Sequence, residues 1–430
     1  MTARAVFFSQ LRGACPGLSA PMPTGDGLLV RLLPAGTIPL DAFGKLCATA
    51  CTHGNGIIEI TARGSIQIRG LSAASAPLFA DTIAALNIAA ADGIPVLSNA
   101  LAGRDPQEIL NAGTLAAELR RALARTSLSA RLAPKVSVVI DGGGTLDLDN
   151  LAADLRLCAE ATHSGVALRV SVGGDRISAT ELGAVAPGDG TETAVRLLDV
   201  IAQSGRAARA RDIVAANATA LLRAAIIDFL INDPAPPKSH KSTDAIGTYR
   251  LRDGTLACGI GLAFGHADAV ALERLADAAR SFGAAGLRPA PGRVLMMIGL
   301  TQQAIPSFVA IAEKLGFIVR ADDPRRHVVA CAGAPVCSSA HIAARAIAPR
   351  IAEMAAPHLG AAFEIHISGC GKGCAHAKAT ALTVVGSPDG CALIADGSAR
   401  DVPFATVAMD ELPAAIERYA RAKQREAGHV

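Results

Sequence analysis

The chain contains no tryptophan and only two tyrosines, and all aromatic residues together make up 3% of it. Proteins that grip single-stranded nucleic acid stack its bases on such rings, so little material for that exists here. The formal net charge of +3, from 41 basic and 38 acidic residues, is also too small for a nucleic-acid surface. Apolar residues reach 51%, much of it alanine, yet no run approaches the unbroken apolar length of a membrane helix. The start, MTARAVFFSQLRGAC, is polar again by Gln10 and lacks the shape of a signal peptide. These absences lead to the expectation of a cytoplasmic protein with no nucleic-acid and no membrane partner. At 430 residues it should form two to four domains.

Cysteine is what the chain does have. Ten cysteines in a reducing compartment are not a disulfide framework, so some need another role. Four fall in two tight pairs: CAGAPVC (Cys331 and Cys337), thirty-two residues, then CGKGC (Cys370 and Cys374). Four thiolates separated by small residues suit a 4Fe-4S cluster, whose sulfurs favour nearby backbone N–H groups, and Gly369, Gly371 and Gly373 allow that approach. The spacing Cys-x5-Cys with Cys-x3-Cys is wider than that of most zinc ribbons, which leaves structural zinc as the second reading. Cys47 and Cys51, one helical turn apart, read as core residues.

Along the chain, DGLLVRLL (26–33) reads as a strand, 40–52 as a helix and IIEITARGSIQIRGL as a strand pair. Residues 253–300 repeat this order. Aligning 42–71 on 271–300 without a gap matches Ala42, Leu46, Ala50, Gly54, Gly70 and Leu71 to identical residues. Each unit is followed by an α/β segment. In the first, the helix TLAAELRRALART, the strand APKVSVVIDGG and the strand VALRVSVGG follow one another; in the second, SAHIAARAIAPRIAEMA, AAFEIHISGCGKG and ALTVVG. Only the second carries cysteines at the turn. The expected fold is therefore α+β and internally duplicated, with 1–75 and 243–305 as half domains, 76–231 and 306–430 as α/β domains, and the Pro-rich 232–242 as linker.

Two half-ferredoxin-like units, two α/β segments, the cysteine spacing and ITARGSIQIRG resemble the sirohaem-containing nitrite and sulfite reductases over nearly the whole chain. Within that superfamily, CPGLSAPMPTGDGLLVRL and HISGCGKGCAHAKA look most like the precorrin-3B synthase family of aerobic cobalamin synthesis. The resemblance implies an oxygen-dependent monooxygenase: precorrin-3A is hydroxylated at a meso carbon and an acetate arm closes a γ-lactone before ring contraction. It implies Cys331, Cys337, Cys370 and Cys374 as 4Fe-4S ligands and a tetrapyrrole with eight carboxylates as substrate.

Arginine meets such carboxylates with a planar fork. The resemblance makes Arg63, in the stretch matching the family's Thr-Thr-Arg motif, the leading tetrapyrrole-binding candidate, with Arg69, Lys135, Arg288, Arg293 and Lys372 beside it. His341, His366 and His376 flank the cluster stretch, as hydrogen-bonding groups or as ligands of a mononuclear non-haem iron. No residue can be named as catalytic. NADH-derived electrons are implied, but GIGLAFG (259–265) lacks the context of a dinucleotide fingerprint, so a separate electron-donating reductase is expected. Ser137 stands where the family carries a second lysine, Gly64 where Gln is common, and IPVLSN lacks an Arg-Asn pair. These departures weigh against sirohaem. Sulfite or nitrite reduction with bound sirohaem, and a non-catalytic tetrapyrrole-binding metalloprotein, are the alternatives.

Overall fold

The computed structural model describes residues 16–88, 93–163, 165–232, 243–358 and 364–427. The Pro-rich linker expected at 232–242, including His240, falls outside these residues except for Asn232. Four sheets carry the chain. The first holds β1 (Met22–Thr24), β2 (Gly27–Leu32), β3 (Ile57–Ile60) and β4 (Ile66–Leu71), with α1 (Leu40–His53) and α2 (Ser75–Ala85) on one face. Alternation decides which residues face inward. In β4, Ile66, Ile68 and Leu71 are buried against Phe43, Leu46, Cys47 and Phe79 of the two helices. Cys47 is thus a core residue, as its spacing suggested, and burial pushes its thiol far up, whereas Cys51, expected in the core with it, is exposed at the end of the helix.

The first α/β sheet is built from β5 (Val96–Leu97), β6 (Val138–Asp141), β7 (Ala153–Thr162), β8 (Gly165–Gly174), β9 (Thr180–Val185) and β10 (Leu230–Ile231). Its helices include α3 (Ala112–Ala124) and α4 (Gly190–Gln203). Strands β5, β6 and β7 run parallel and β7, β8 and β9 antiparallel. The second half repeats the order with β11 (Gly247–Arg250), β12 (Leu256–Gly261), β13 (His266–Asp268), α5 (Ala269–Ser281), β14 (Gly286–Ala290), β15 (Val294–Leu300) and α6 (Ile305–Lys314). Its α/β sheet comprises β16 (Val328–Ala330), α7 (Ala344–Ala355), β17 (Ile365–Ser368), β18 (Thr380–Ser387), β19 (Gly390–Gly397), β20 (Ala405–Val407) and α8 (Leu412–Ala427). Here too the first three strands are parallel and the rest antiparallel.

The duplication read from six identities is therefore a duplication of topology, with one difference. The strand VALRVSVGG is β8, the counterpart of β19, and the counterpart of ALTVVG is β7. Strand β7, LRLCAEAT at its core, carries charged residues at Arg156 and Glu160 and was missed. Burial of Arg156 is made possible by carbonyl acceptors, Leu151 O at 2.6 Å and Leu148 O at 3.1 Å.

The halves also interlock. Strand β13 pairs with β3, Ala267 opposite Ile58, and in return Ile38 pairs with Leu287 of β14. Ile38 and Ala267, like Ile58 and Leu287, are 229 residues apart, so the two exchanges are related by a pseudo-two-fold. Helices α1 and α5 meet along it, and their apolar faces form one core from Phe43 and Leu46 to Leu272 and Leu275. No helix among the described residues is long and apolar enough to cross a membrane.

Candidate functional site

The face of the first sheet turned away from that core is polar. Arg31 on β2 pairs in register with Gln67 on β4, Gln67 with Glu59 on β3, and Glu59 with His266 on β13. A row of four polar side chains thus crosses the sheet, and its last member comes from the other half of the chain. Arg31 donates to Gln67 Oε1 at 2.6 Å, Gln67 Nε2 to Glu59 Oε2 at 2.8 Å, and Arg345 of α7 to Glu59 Oε1 at 2.8 Å. All four row residues line a cavity of about 330 Å³ together with Arg63, Arg69 and Arg293. Its opposite wall carries Cys331 and Cys374.

The equivalent face of the second half carries different residues. Gly259, Met296 and Arg288 hold the register positions of Arg31, Gln67 and Glu59. Met296 is fully buried in an apolar cluster with Ala100, Leu101, Leu146 and Ile298, which fills the position. The row is polar and lines the cavity in the first half; in the second half its middle position is buried, and the space beside it, lined by Ala290, Gly292 and Val294, is a separate cavity of about 430 Å³.

The cysteines sit on the loops that end β16 and β17. Gly369 N–H donates to Cys331 Sγ at 3.0 Å, and Cys337 N–H to Gly333 O at 2.8 Å. Gly373 has φ +63° and lies against Ala399, where a side chain would strain the turn. Burial, then the neighbouring thiolates, push the thiols of Cys331 and Cys374 up, while the Gly369 and Gly333 N–H groups act on Cys331 in the opposite sense. The charges of Cys331, Cys337, Cys370 and Cys374 act on one another, so the turn brings the four together. Buried thiols gathered at one turn become good ligands when a cation takes the place of their protons. Among the described residues, no three His, Cys, Asp or Glu side chains stand close enough to hold a single metal ion. Four cysteine sulfurs are the donor set that a 4Fe-4S cluster takes.

In the cluster-free half, the matching turn after β6 is occupied by protein. Asp105, buried to 1% exposure, accepts from Thr145 Oγ1 at 3.0 Å and Gln107 N–H at 2.9 Å. A carboxylate there takes up the turn's donors.

The basic candidates fall into three groups. Arg63 donates to Ala152 O at 2.8 Å and to Ser137 Oγ at 3.0 Å while lining the cavity. Arg69 forms a two-pronged pair with Asp26, both contacts 2.8 Å, and lies 3.6 Å from Glu59. Its charge is spoken for. Arg293, at φ +66°, lines this cavity and a neighbouring one of about 430 Å³, with Glu364 at 3.9 Å. Arg288 lines only a smaller recess. Lys135 is exposed and lines none of these cavities, and Lys372 is exposed and donates to Ser339 Oγ at 2.9 Å.

Of the histidines, His341 is exposed. His376 lies 3.7 Å from Glu364, and its ring is 5.9 Å from that of fully buried His366. Neither nitrogen of His366 has a partner, and burial lowers its pKa to about 4. His266, Arg31, Glu59, Gln67 and Arg345 were not singled out by sequence. The available signal was the polar alternation Glu59, Gln67 and Arg69 inside apolar strands.

Residues 20–86 match the nitrite/sulfite reductase ferredoxin-like half domain family. A precorrin-3B synthase from Sinorhizobium sp is 38% identical over 414 residues, which covers 96% of this chain and 89% of the relative. The chain belongs to the precorrin-3B synthase family. A sulfite reductase [ferredoxin] from Mycolicibacterium paratuberculosis is 26% identical over 36% of this chain and 30% of its own length. The structure of the Mycobacterium tuberculosis NirA protein matches with TM-score 0.73 at 21% identity, covering 92% of this chain and 80% of that one, which fixes the shared duplicated fold. Membership in the synthase family makes this an enzyme of cobalamin biosynthesis and an oxidoreductase.

Proposed function

We propose that this chain converts precorrin-3A to precorrin-3B as an oxygen-dependent monooxygenase. The observation that carries the reading is the cavity between the arginine-bearing sheet and the wall of Cys331 and Cys374. One oxygen atom enters the macrocycle at the meso carbon and the other leaves as water, with two electrons drawn from a donor. A 4Fe-4S cluster held by Cys331, Cys337, Cys370 and Cys374 supplies single electrons when bound.

The protein's own part is recognition and exclusion of water. Arg63 and Arg293 face the cavity and offer guanidinium forks to carboxylate arms. Arg69, neutralised by Asp26, contributes by holding its strand and the 24–27 turn in place rather than by meeting the substrate. His266 keeps an uncharged ring at the cavity wall, lowered to about 3 by burial and by Arg345. Lys135 and Lys372, both exposed, serve arms that reach beyond the cavity. The electrons come from a separate reductase, and the working compartment is the cytoplasm. The units responsible run from 1 to 75, 76 to 231, 243 to 305 and 306 to 430, joined at 232–242.

The test begins with the absorption spectrum of protein purified without air. A broad shoulder that bleaches on reduction, with no sharp macrocycle bands, is expected; sharp sirohaem bands would favour sulfite or nitrite reduction instead. Turnover of precorrin-3A under ¹⁸O₂ should then place one labelled atom in the product. An unlabelled product would overturn the monooxygenase reading.

A further inference from the structure

Arg120 on α3 and Arg288 on β14 come from opposite halves of the chain and line one small recess of about 20 Å³. Leu33, Arg63, Leu97 and Ser98 complete its walls. Arg120 Nη2 donates to Val96 O at 2.7 Å, which leaves its buried Nε without an acceptor. Arg288 makes no hydrogen bond or ion pair among the described residues. At the pseudo-symmetric position Glu59 is an acid matched by Arg345, so the second half has a cation there without the complementary carboxylate.

The nearest acid is no substitute. Glu108 already accepts from Gly103 N–H at 2.6 Å and Ala112 N–H at 3.0 Å. Burial, with Arg120 and Arg104 nearby, lowers Arg288 to about 10. Two guanidiniums confined with no carboxylate of their own repel each other and want an anion between them. The recess as it stands holds little more than a water, so it excludes a ring and takes a carboxylate head only by parting the two guanidiniums.

We propose that Arg120 and Arg288 form an anion subsite that receives one carboxylate arm of the tetrapyrrole, inserted past Arg63, which lines both the recess and the main cavity. The inference rests on the tetrapyrrole substrate proposed above. It assigns Arg120 a substrate contact that sequence reading did not give, and it gives Arg288 a defined partner.

The experiment titrates uroporphyrin III, an octacarboxylate, against the wild-type protein and against Arg120→Gln and Arg288→Gln, following porphyrin fluorescence. Each variant should bind about tenfold or more weakly, the loss of one charge-assisted hydrogen bond. Arg288→Gln should also melt at a higher temperature than wild type without ligand, because a cation whose side chain makes no hydrogen bond has gone, and iron content should be unchanged in both variants. Arg288→Lys, which keeps the charge and loses the fork, should bind with intermediate strength and guards against a folding defect in the Gln variant. Wild-type-like uroporphyrin binding by both Gln variants would overturn the subsite. A lowered melting temperature of Arg288→Gln would make that residue structural and also overturn it. So would stabilisation of wild type, but not of Arg288→Gln, by millimolar acetate or chloride with uroporphyrin binding unaffected, since a free anion would then be the occupant. Failure of wild type to bind uroporphyrin at all is a separate result, and it counts against the proposed substrate.

Discussion

Arg63 donates through Nη2 to Ser137 Oγ at 3.0 Å, across 74 residues of sequence. The serine stands where the resembling sirohaem enzymes carry a lysine, and here it has become an anchor for the arginine. The hydroxyl holds the guanidinium at the domain boundary, where Ala152 O takes the second N–H. Arg63→Ala should therefore lower stability by about 1–3 kcal/mol for two lost hydrogen bonds and also weaken tetrapyrrole binding. Chemical denaturation and porphyrin titration on the same variant would check both; intact stability would show that the anchor is not formed.

Asp26 and Arg69 form the most buried ion pair of the cavity wall, with side chains 0% and 8% exposed. Asp26→Asn leaves Arg69 facing only Glu59, and a loss of about 3–5 kcal/mol is expected for an uncompensated buried charge. In the folded protein Arg69 holds the Asp26 pKa below 3.8 against the opposing effect of burial. The unfolded chain therefore binds this proton first, so the pair's stabilisation is complete above about pH 4 and is lost as pH falls through the lower folded value. An acid melt in which Asp26→Asn shows the same pH dependence as wild type would contradict this.

Gly25 touches the cysteine-bearing segment from the first half. Ser338 donates to Gly25 O from both its N–H and its hydroxyl, each at 2.9 Å, and a Cβ on Gly25 would lie 2.3 Å from Cys337 Sγ. Gly25→Ala should displace that cysteine and lower iron content while the melting temperature moves little. Full iron loading in this variant would mean that Cys337 does not need its observed position.

Burial, with Arg345 nearby, lowers the His266 pKa far below that of a surface histidine. Burial keeps it neutral down to about pH 3, whereas the unfolded side chain takes a proton near 6.5. Between those values the unfolded state binds more protons, so stability falls as pH drops through this window. His266→Asn should flatten that part of the stability curve, and the His266 ring signals should stay those of neutral imidazole at pH 5.

Cys374→Ser tests the metal reading directly. Iron and sulfide content should fall together with the visible absorption, and Cys51→Ser, on the exposed end of α1, should change neither. Equal effects from both would remove the distinction between ligand and bystander.

Much of this was legible in the chain. The helix at 40–53 and the strands around it follow from alternation and the His53 to Gly56 turn, and the repeat was visible through Ala42, Leu46 and Gly70. The four cysteines and Arg63 announced themselves by spacing and motif. What was not legible depends on pairing across the halves. That His266 joins Glu59, that Arg69 is neutralised by Asp26, and that Arg120 faces Arg288 are facts of register between segments about 40 to 200 residues apart. Local periodicity does not encode such register, and β7 was missed because Arg156 and Glu160 break the apolar pattern that backbone carbonyls and Arg169 allow them to break.

The exchange of β13 for the Ile38 segment has a consequence for how the protein is made. The polar wall is synthesised first, but its fourth residue, His266, and all four thiols arrive only in the later half of the chain. During translation the first sheet therefore emerges with an unpaired edge at β3. Any ligand held by all four cysteines can enter only after the turn at Cys374 has left the ribosome and the two halves have closed on each other, so one wall of the cavity exists well before the other.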